Sequence, residues 1–248
     1  VETLPLTGER TVPGIDRENY WFRRHEAAYA WAVRELPVAG AVVVDAGSGE
    51  GYGAEQLRLA GAARVIALEL DEEAARHSAR RYPHLLTVRA NLDALPIPDA
   101  TADVVVTMQV VEHLWDLPGF LRECRRVLRP GGTLLAATPN RLTFSPGLGR
   151  GERPTNPFHV EEFDAEQLAD LVATAGFDDV AVLGVHHGPG LAPDLVARQI
   201  EAVLADAWPP ELVAAVSQAD VADFEIRAAD VASSLDLLAL GRVAGHGA

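Results

Sequence analysis

The chain has 248 residues, 48% of them apolar, and a mean hydropathy just above zero, enough to bury one substantial core with at most a small appendage. A formal net charge of −15 argues against a nucleic-acid partner, which needs clustered Lys and Arg, and no run of apolar residues is long enough to read as a membrane span. The single cysteine, Cys124, excludes an intrachain disulfide and a cysteine-rich zinc site.

The first thirty residues hold Asp16, Arg17, Arg23 and Arg24 and show no secretory h-region, so the expected compartment is the cytoplasm and the expected partner a small molecule. Residues 1–40 stand apart as an N-terminal helical cap segment. In it Tyr20-Trp21-Phe22-Arg23-Arg24-His25 opens a helix running to Leu36, with aromatics suited either to packing on a sheet or to covering a ligand. Arg10, Arg17, Arg23 and Arg24 could meet an anionic group or sit in solvent.

From 41 onward short β-branched runs alternate with longer helical ones, the pattern of βαβ units and a parallel sheet covered on both faces. Strands are expected over 41–45, 65–68, 86–89, 104–108 and 133–138, and helices over 53–60, 72–81 and 117–127. Arg129-Pro130-Gly131-Gly132 reads as a tight turn into the fifth strand. Residues 140–157, rich in glycine and proline, form a connection long enough to serve a site. A helix over 163–175 takes Asp164 as N-cap and Gly176 as its stop, before a sixth strand over 179–184. Residues 191–230 read as a helical insertion broken at Trp208-Pro209-Pro210, and 234–242 as the last strand. The whole is an α/β, Rossmann-like fold with a mostly parallel seven-stranded sheet, one domain over 41–248 behind the cap.

The sharpest local signal is Val42-Val43-Val44-Asp45-Ala46-Gly47-Ser48-Gly49-Glu50-Gly51-Tyr52-Gly53, a buried strand entering a small-residue turn and then a helix. Its glycines permit close backbone approach to a ligand, and N–H groups at the helix start can receive an electronegative atom. Nucleotide-binding enzymes of several kinds use such turns. Here Asp45 ends the strand directly before Ala46-Gly47-Ser48-Gly49, whereas a dinucleotide site spaces three glycines for a pyrophosphate. The arrangement resembles motif I of class I S-adenosylmethionine (SAM) methyltransferases.

Four further stretches continue that resemblance in order. Val65-Ile66-Ala67-Leu68-Glu69-Leu70-Asp71 ends the second strand on Glu69, where the family uses a carboxylate for both ribose hydroxyls. Asn91 and Leu92 occupy the segment that contacts adenine, Asn91 standing in for the usual Asp with a side-chain carbonyl that can still accept a hydrogen bond. Asp103-Val104-Val105-Val106-Thr107-Met108-Gln109-Val110-Val111-Glu112-His113-Leu114 matches the fourth strand and its loop, and Leu128-Arg129-Pro130-Gly131-Gly132 the turn before the fifth. The resemblance implies SAM as methyl donor, bound by Asp45, Ala46, Gly47, Ser48, Gly49, Glu69, Leu70, Asn91, Leu92 and Gln109.

Methyl transfer to a hydroxyl needs an aligned acceptor and a base for its proton. His113, at the carboxyl edge of the sheet, is the first candidate base and His159 the second. Of His186 and His187, adjacent on a strand, at most one lines the cleft. Carboxylates and histidines surround the cleft, but no fixed spacing identifies a metal.

A narrower resemblance runs over nearly the whole chain. Leu6-Thr7-Gly8-Glu9-Arg10-Thr11-Val12-Pro13, Glu18-Asn19-Tyr20-Trp21-Phe22-Arg23-Arg24-His25, Glu112-His113-Leu114-Trp115-Asp116, Thr138-Pro139-Asn140-Arg141 and Asn156-Pro157-Phe158-His159 look like the actinobacterial 1-O-methyltransferase family of methylmannose polysaccharide biosynthesis. That implies methylation of the 1-hydroxyl of a short 3-O-methylated mannoside, a magnesium requirement, and Tyr20, Trp21 and Arg24 closing over donor or sugar. The same frame could serve a quinone, an amine or another glycan, or bind the donor without turnover. A nicotinamide oxidoreductase is disfavoured by Asp45 and the Glu112-His113 loop.

Overall fold

The computed structural model describes residues 11, 13–154 and 156–245; Leu6 to Arg10 and Val12 of the motif quoted above lie outside them. After a 3-10 turn, α1 (Asn19–Glu35) leads into β1 (Val42–Ala46), α2 (Tyr52–Leu59), β2 (Arg64–Glu69), α3 (Glu72–Arg81), β3 (Leu86–Arg89) and β4 (Ala102–Met108). Then follow α4 (Leu117–Val127), β5 (Leu128–Pro139), the short α5 (Arg141–Phe144), α6 (Ala165–Thr174) and β6 (Asp178–His187). The chain ends with α7 (Leu195–Leu204), α8 (Pro210–Ser217), β7 (Phe224–Arg227) and β8 (Asp236–Arg242).

One eight-stranded sheet runs β3-β2-β1-β4-β5-β8-β6-β7, parallel from β3 to β5 and antiparallel beyond. The Rossmann-like expectation holds, with one strand more than expected. The extra strand, β7, lies within 191–230, where the sequence reads as helix. Phe224-Glu225-Ile226-Arg227 alternates apolar and polar side chains, which suits a half-covered edge strand paired to β6. The expected turn at Arg129–Gly132 is instead absorbed into β5 as a bulge: the register passes from Ala102↔Leu128 to Val104↔Thr133, with Gly131 at φ +81°.

Period-two alternation sends neighbouring strand residues to two cores. Val43, Val104, Val106, Leu135 and Leu238 face α1, α2, α7 and α8, while Val44, Val105, Leu134, Leu237 and Ala239 face α4 and α6. Cys124 is buried in the second core, where burial pushes its thiol up and keeps it protonated. Asp164 caps α6 by accepting from Gln167 N–H at 2.9 Å, and Gly176 ends that turn at φ +91°. No described helix is long and apolar enough to cross a membrane.

β2 and β4 flank β1, and their connections leave on opposite sides, so a crevice opens beyond the carboxyl ends of β1 and β4.

Candidate active site

A cavity of about 650 Å³ occupies that crevice, a size suited to a small-molecule ligand. Gly47, Ser48, Gly49, Glu69, Leu70, Asn91, Leu92, Gln109 and His113 line it, so nine residues singled out from sequence converge on one space. Asp45, Ala46, Tyr20, Arg24 and His159 do not line it.

Asp45 falls on the same face of β1 as Val43, so its side chain points beneath α1 rather than into the loop. There it is fully buried, accepting from the Tyr29 hydroxyl at 3.1 and 3.2 Å, and it caps no helix. Burial raises its carboxyl to about 7, against the opposing hydrogen bond from Tyr29 and with the help of the Glu69 charge. The Tyr29 ring packs where a Cβ on Gly53 would stand only 2.0 Å away, so α2 can approach α1 only with glycine there.

The loop after β1 uses its own N–H groups. Gly47 and Ser48 both donate to Leu68 O at 2.9 Å, and Gly49 donates to Glu69 Oε2 at 2.7 Å. These three loop donors are engaged within the protein, so what the loop itself offers a ligand is close backbone approach. Gly47 sits at φ +84°, and a Cβ there would meet Val110 at 2.4 Å. The other Glu69 oxygen accepts from Asp71 N–H at 2.8 Å, which fixes the carboxylate and leaves each oxygen a second lone pair for a ligand. Asn91 pairs with Asp93 at 2.8 Å at the cavity rim, while Leu92 is buried at its wall.

The N-terminal segment, Thr11 and α1, contributes residues other than those anticipated. Thr11, His25 and Tyr29, together with Tyr52 of α2, line the cavity. Tyr20 and Arg24, one turn apart, face the other way. Tyr20 is fully buried with its hydroxyl 2.6 Å from His187 Nε2, and Arg24 pairs with Asp236 at 3.2 Å between the rings of Trp21 and Phe144. They therefore serve as a buried strut rather than as a cover for donor or sugar. Gln109, at φ +56°, links the cavity wall to the same strut by donating to Asp236 at 3.2 Å. Burial lowers His25 well below the ordinary histidine range, helped by the Arg24 charge, which keeps the ring neutral.

His113 sits at the end of a 3-10 turn over Val111–His113, its Nδ1 3.0 Å from Phe158 O. A carbonyl can only accept, so Nδ1 carries the proton and Nε2 the lone pair. The long connection after β5 makes this contact by folding back onto the turn, with Val160 N–H donating to Glu112 O at 2.7 Å. The fold-back brings His159 beside His113, ring centroids 5.1 Å apart, with His159 Nδ1 donating to Glu162 at 2.7 Å. Glu162 lies below the usual carboxylate range: burial pushes it up, but the hydrogen bonds from His159 and Ser145 outweigh this. Burial raises Glu112, whose side chain accepts from Thr138 at 2.9 Å.

Glu112, His113 and His159 offer ligand atoms within 4.8 Å of one another, the one such group of three among the described residues. Magnesium prefers an octahedron of oxygens, and two imidazoles with one carboxylate do not fit it.

The comparisons with known proteins agree with this geometry. A family profile described as a methyltransferase domain matches residues 44–136, from β1 into β5. A "probable S-adenosylmethionine-dependent methyltransferase" of Mycobacterium tuberculosis is 49% identical over 96% of this chain and 89% of its own length, and one from Mycolicibacterium smegmatis is 48% identical over 96% and 94%. Among solved structures, a SAM-dependent methyltransferase from Thermotoga maritima superposes with a TM-score of 0.62 over 90% of this chain and 92% of its own, at 18% identity, which speaks to fold alone. With a ligand cavity at the β1–β4 crevice and near-full-length relatives at this identity, the chain belongs to the class I SAM-dependent methyltransferases.

Proposed function

We propose that this methyltransferase acts on oxygen, in the cytoplasm, and that its acceptor is the 1-hydroxyl of a short 3-O-methylated mannoside, with His113 as general base. The observation that carries the chemistry is the place of His113: it lines the cavity that Gly47, Glu69 and Leu92 line, with its Nδ1–H held by a carbonyl and its basic Nε2 turned elsewhere. In this reading Glu69 accepts from the two ribose hydroxyls, Leu70 and Leu92 flank the adenine, Asn91 accepts from its amino group, and the Gly47–Gly49 backbone and Gln109 face the methionine end. Asp45 acts from beneath the loop, through Tyr29 and the α1–α2 contact.

The acceptor oxygen bonds to the methyl carbon as the carbon–sulfur bond breaks, its electron pair passes to sulfur, and the hydroxyl proton goes to His113. An anomeric hydroxyl is more acidic than an ordinary alcohol, so one imidazole suffices. Support for a sugar comes from the motifs shared with the methylmannose family and from two exposed aromatics near His113 along the backbone: Phe158, 49% exposed, whose carbonyl meets His113 Nδ1, and Trp115, 90% exposed, two residues after His113. Exposed aromatic faces suit the apolar face of a pyranose.

The test supplies methyl-labelled SAM with free and 3-O-methylated mannosides. Label is expected in the 3-O-methylated acceptor, at the anomeric oxygen; absence of label from every mannoside overturns the substrate. His113→Ala is expected to keep SAM affinity, measured by calorimetry, and to lose about 10²–10⁴ in turnover. Turnover near that of the parent protein would remove His113 from the role and move the search to His159.

A further inference from the structure

Magnesium fits Glu112, His113 and His159 poorly, but their donor set suits a softer divalent cation. Two features of the cluster are those of metal-binding histidines. Each ring has its Nδ1–H anchored by an oxygen, Phe158 O for His113 at 3.0 Å and Glu162 Oε1 for His159 at 2.7 Å, so that Nε2 is the basic nitrogen in both. The carboxylate is anchored too: Thr138 donates to Glu112 Oε2 at 2.9 Å, while Oε1 lies 3.9 Å from His113 Nε2. A four-coordinate metal with bonds of about 2.0–2.2 Å spaces its ligands about 3.3 Å apart, which this pair reaches by a small side-chain rotation. His159 Nε2 stands 3.0 Å from Asn156 Nδ2, a contact that coordination would replace.

We propose that Glu112, His113 and His159 form a site for a nitrogen-accepting divalent metal of the zinc kind, and that its occupation blocks methyl transfer. The blocking part rests on the reading of His113 as base. One lone pair on Nε2 cannot hold a metal and receive the acceptor proton. Three protein ligands leave the fourth position to water, and two nitrogens with one oxygen favour Zn2+ or Co2+ over magnesium.

The experiment titrates untagged, chelator-treated protein with Zn2+ and, separately, with Co2+, whose d–d absorption reports a low-symmetry nitrogen site. One equivalent is expected to bind, unaffected by excess Mg2+. Glu162→Gln, which keeps the shape of the side chain that holds His159 Nδ1 but removes its charge, is expected to weaken binding tenfold to hundredfold, and His159→Ala by at least that much. Displacement by Mg2+, absence of a stoichiometric site, or unchanged affinity in both variants overturns the site. In the methyl-transfer assay Zn2+ is expected to inhibit over the range in which it binds, and activation by Zn2+ overturns the blocking role. The binding titration needs no acceptor, so failure of the mannoside reading and failure of the metal site are seen separately.

Discussion

Glu69 stands at the end of β2 with one backbone N–H on each carboxylate oxygen, from Gly49 and from Asp71. A carboxylate held this way presents its remaining lone pairs in a fixed direction, which is what a vicinal diol requires. Glu69→Ala is expected to weaken SAM binding tenfold to hundredfold, about 1.4–2.8 kcal/mol, with a much smaller change in turnover at saturating donor; calorimetry and initial rates separate the two. Equal losses in affinity and in saturated turnover would place Glu69 in the chemical step instead. Residues of this kind are legible in sequence because a strand end followed by a glycine loop fixes position locally. Tyr29, His25 and Thr11 are not, because they reach the cavity through the docking of α1 on the sheet. Only Gly53 left a trace: a glycine in the first turn of α2 is costly unless something must come close, and the Tyr29 ring does.

At the scale of elements, α1 is pinned to β8 by Arg24 and Asp236, which are 5% and 1% exposed. Both were taken out of water, so removing one partner leaves the other charge buried alone. Arg24→Leu is expected to cost about 3–5 kcal/mol, and Arg24→Leu with Asp236→Asn to recover a large part of it, read from urea denaturation midpoints and slopes. Additive losses in the double variant would show that the two residues act independently. The sequence pattern located α1 within a residue or two, while the narrower family resemblance assigned Tyr20 and Arg24 to the ligand. An aromatic-basic pair reads alike at a cleft and in a strut, and only the path of β8 decides between them. The same holds for β7: its alternation is plain in Phe224-Glu225-Ile226-Arg227, yet four residues in an alanine-rich acidic stretch do not announce a strand until β6 offers an edge.

For the whole molecule, the two cores meet at the sheet, and Asp45 lies where the first of them reaches the cavity. Its carboxyl moves from the ordinary value of 3.8 to about 7, with burial as the main cause. Between those two pH values the folded chain keeps a proton that the unfolded chain has released, so stability falls as pH rises from about 4 to about 7 and then levels off. Three pH units correspond to about 4 kcal/mol as an upper bound. Asn at 45 still accepts from the Tyr29 hydroxyl and carries no charge in either state. Asp45→Asn is therefore expected to lack this part of the slope, matching the parent protein near pH 4 and exceeding its stability above pH 7. Other buried acids, Glu112 and Asp236 among them, are raised in the same sense, but they are common to both chains and cancel in the difference. Urea denaturation of the two proteins at steps from pH 4.5 to 8 reads that difference, and parallel curves would show that Asp45 stays ionised in the folded protein.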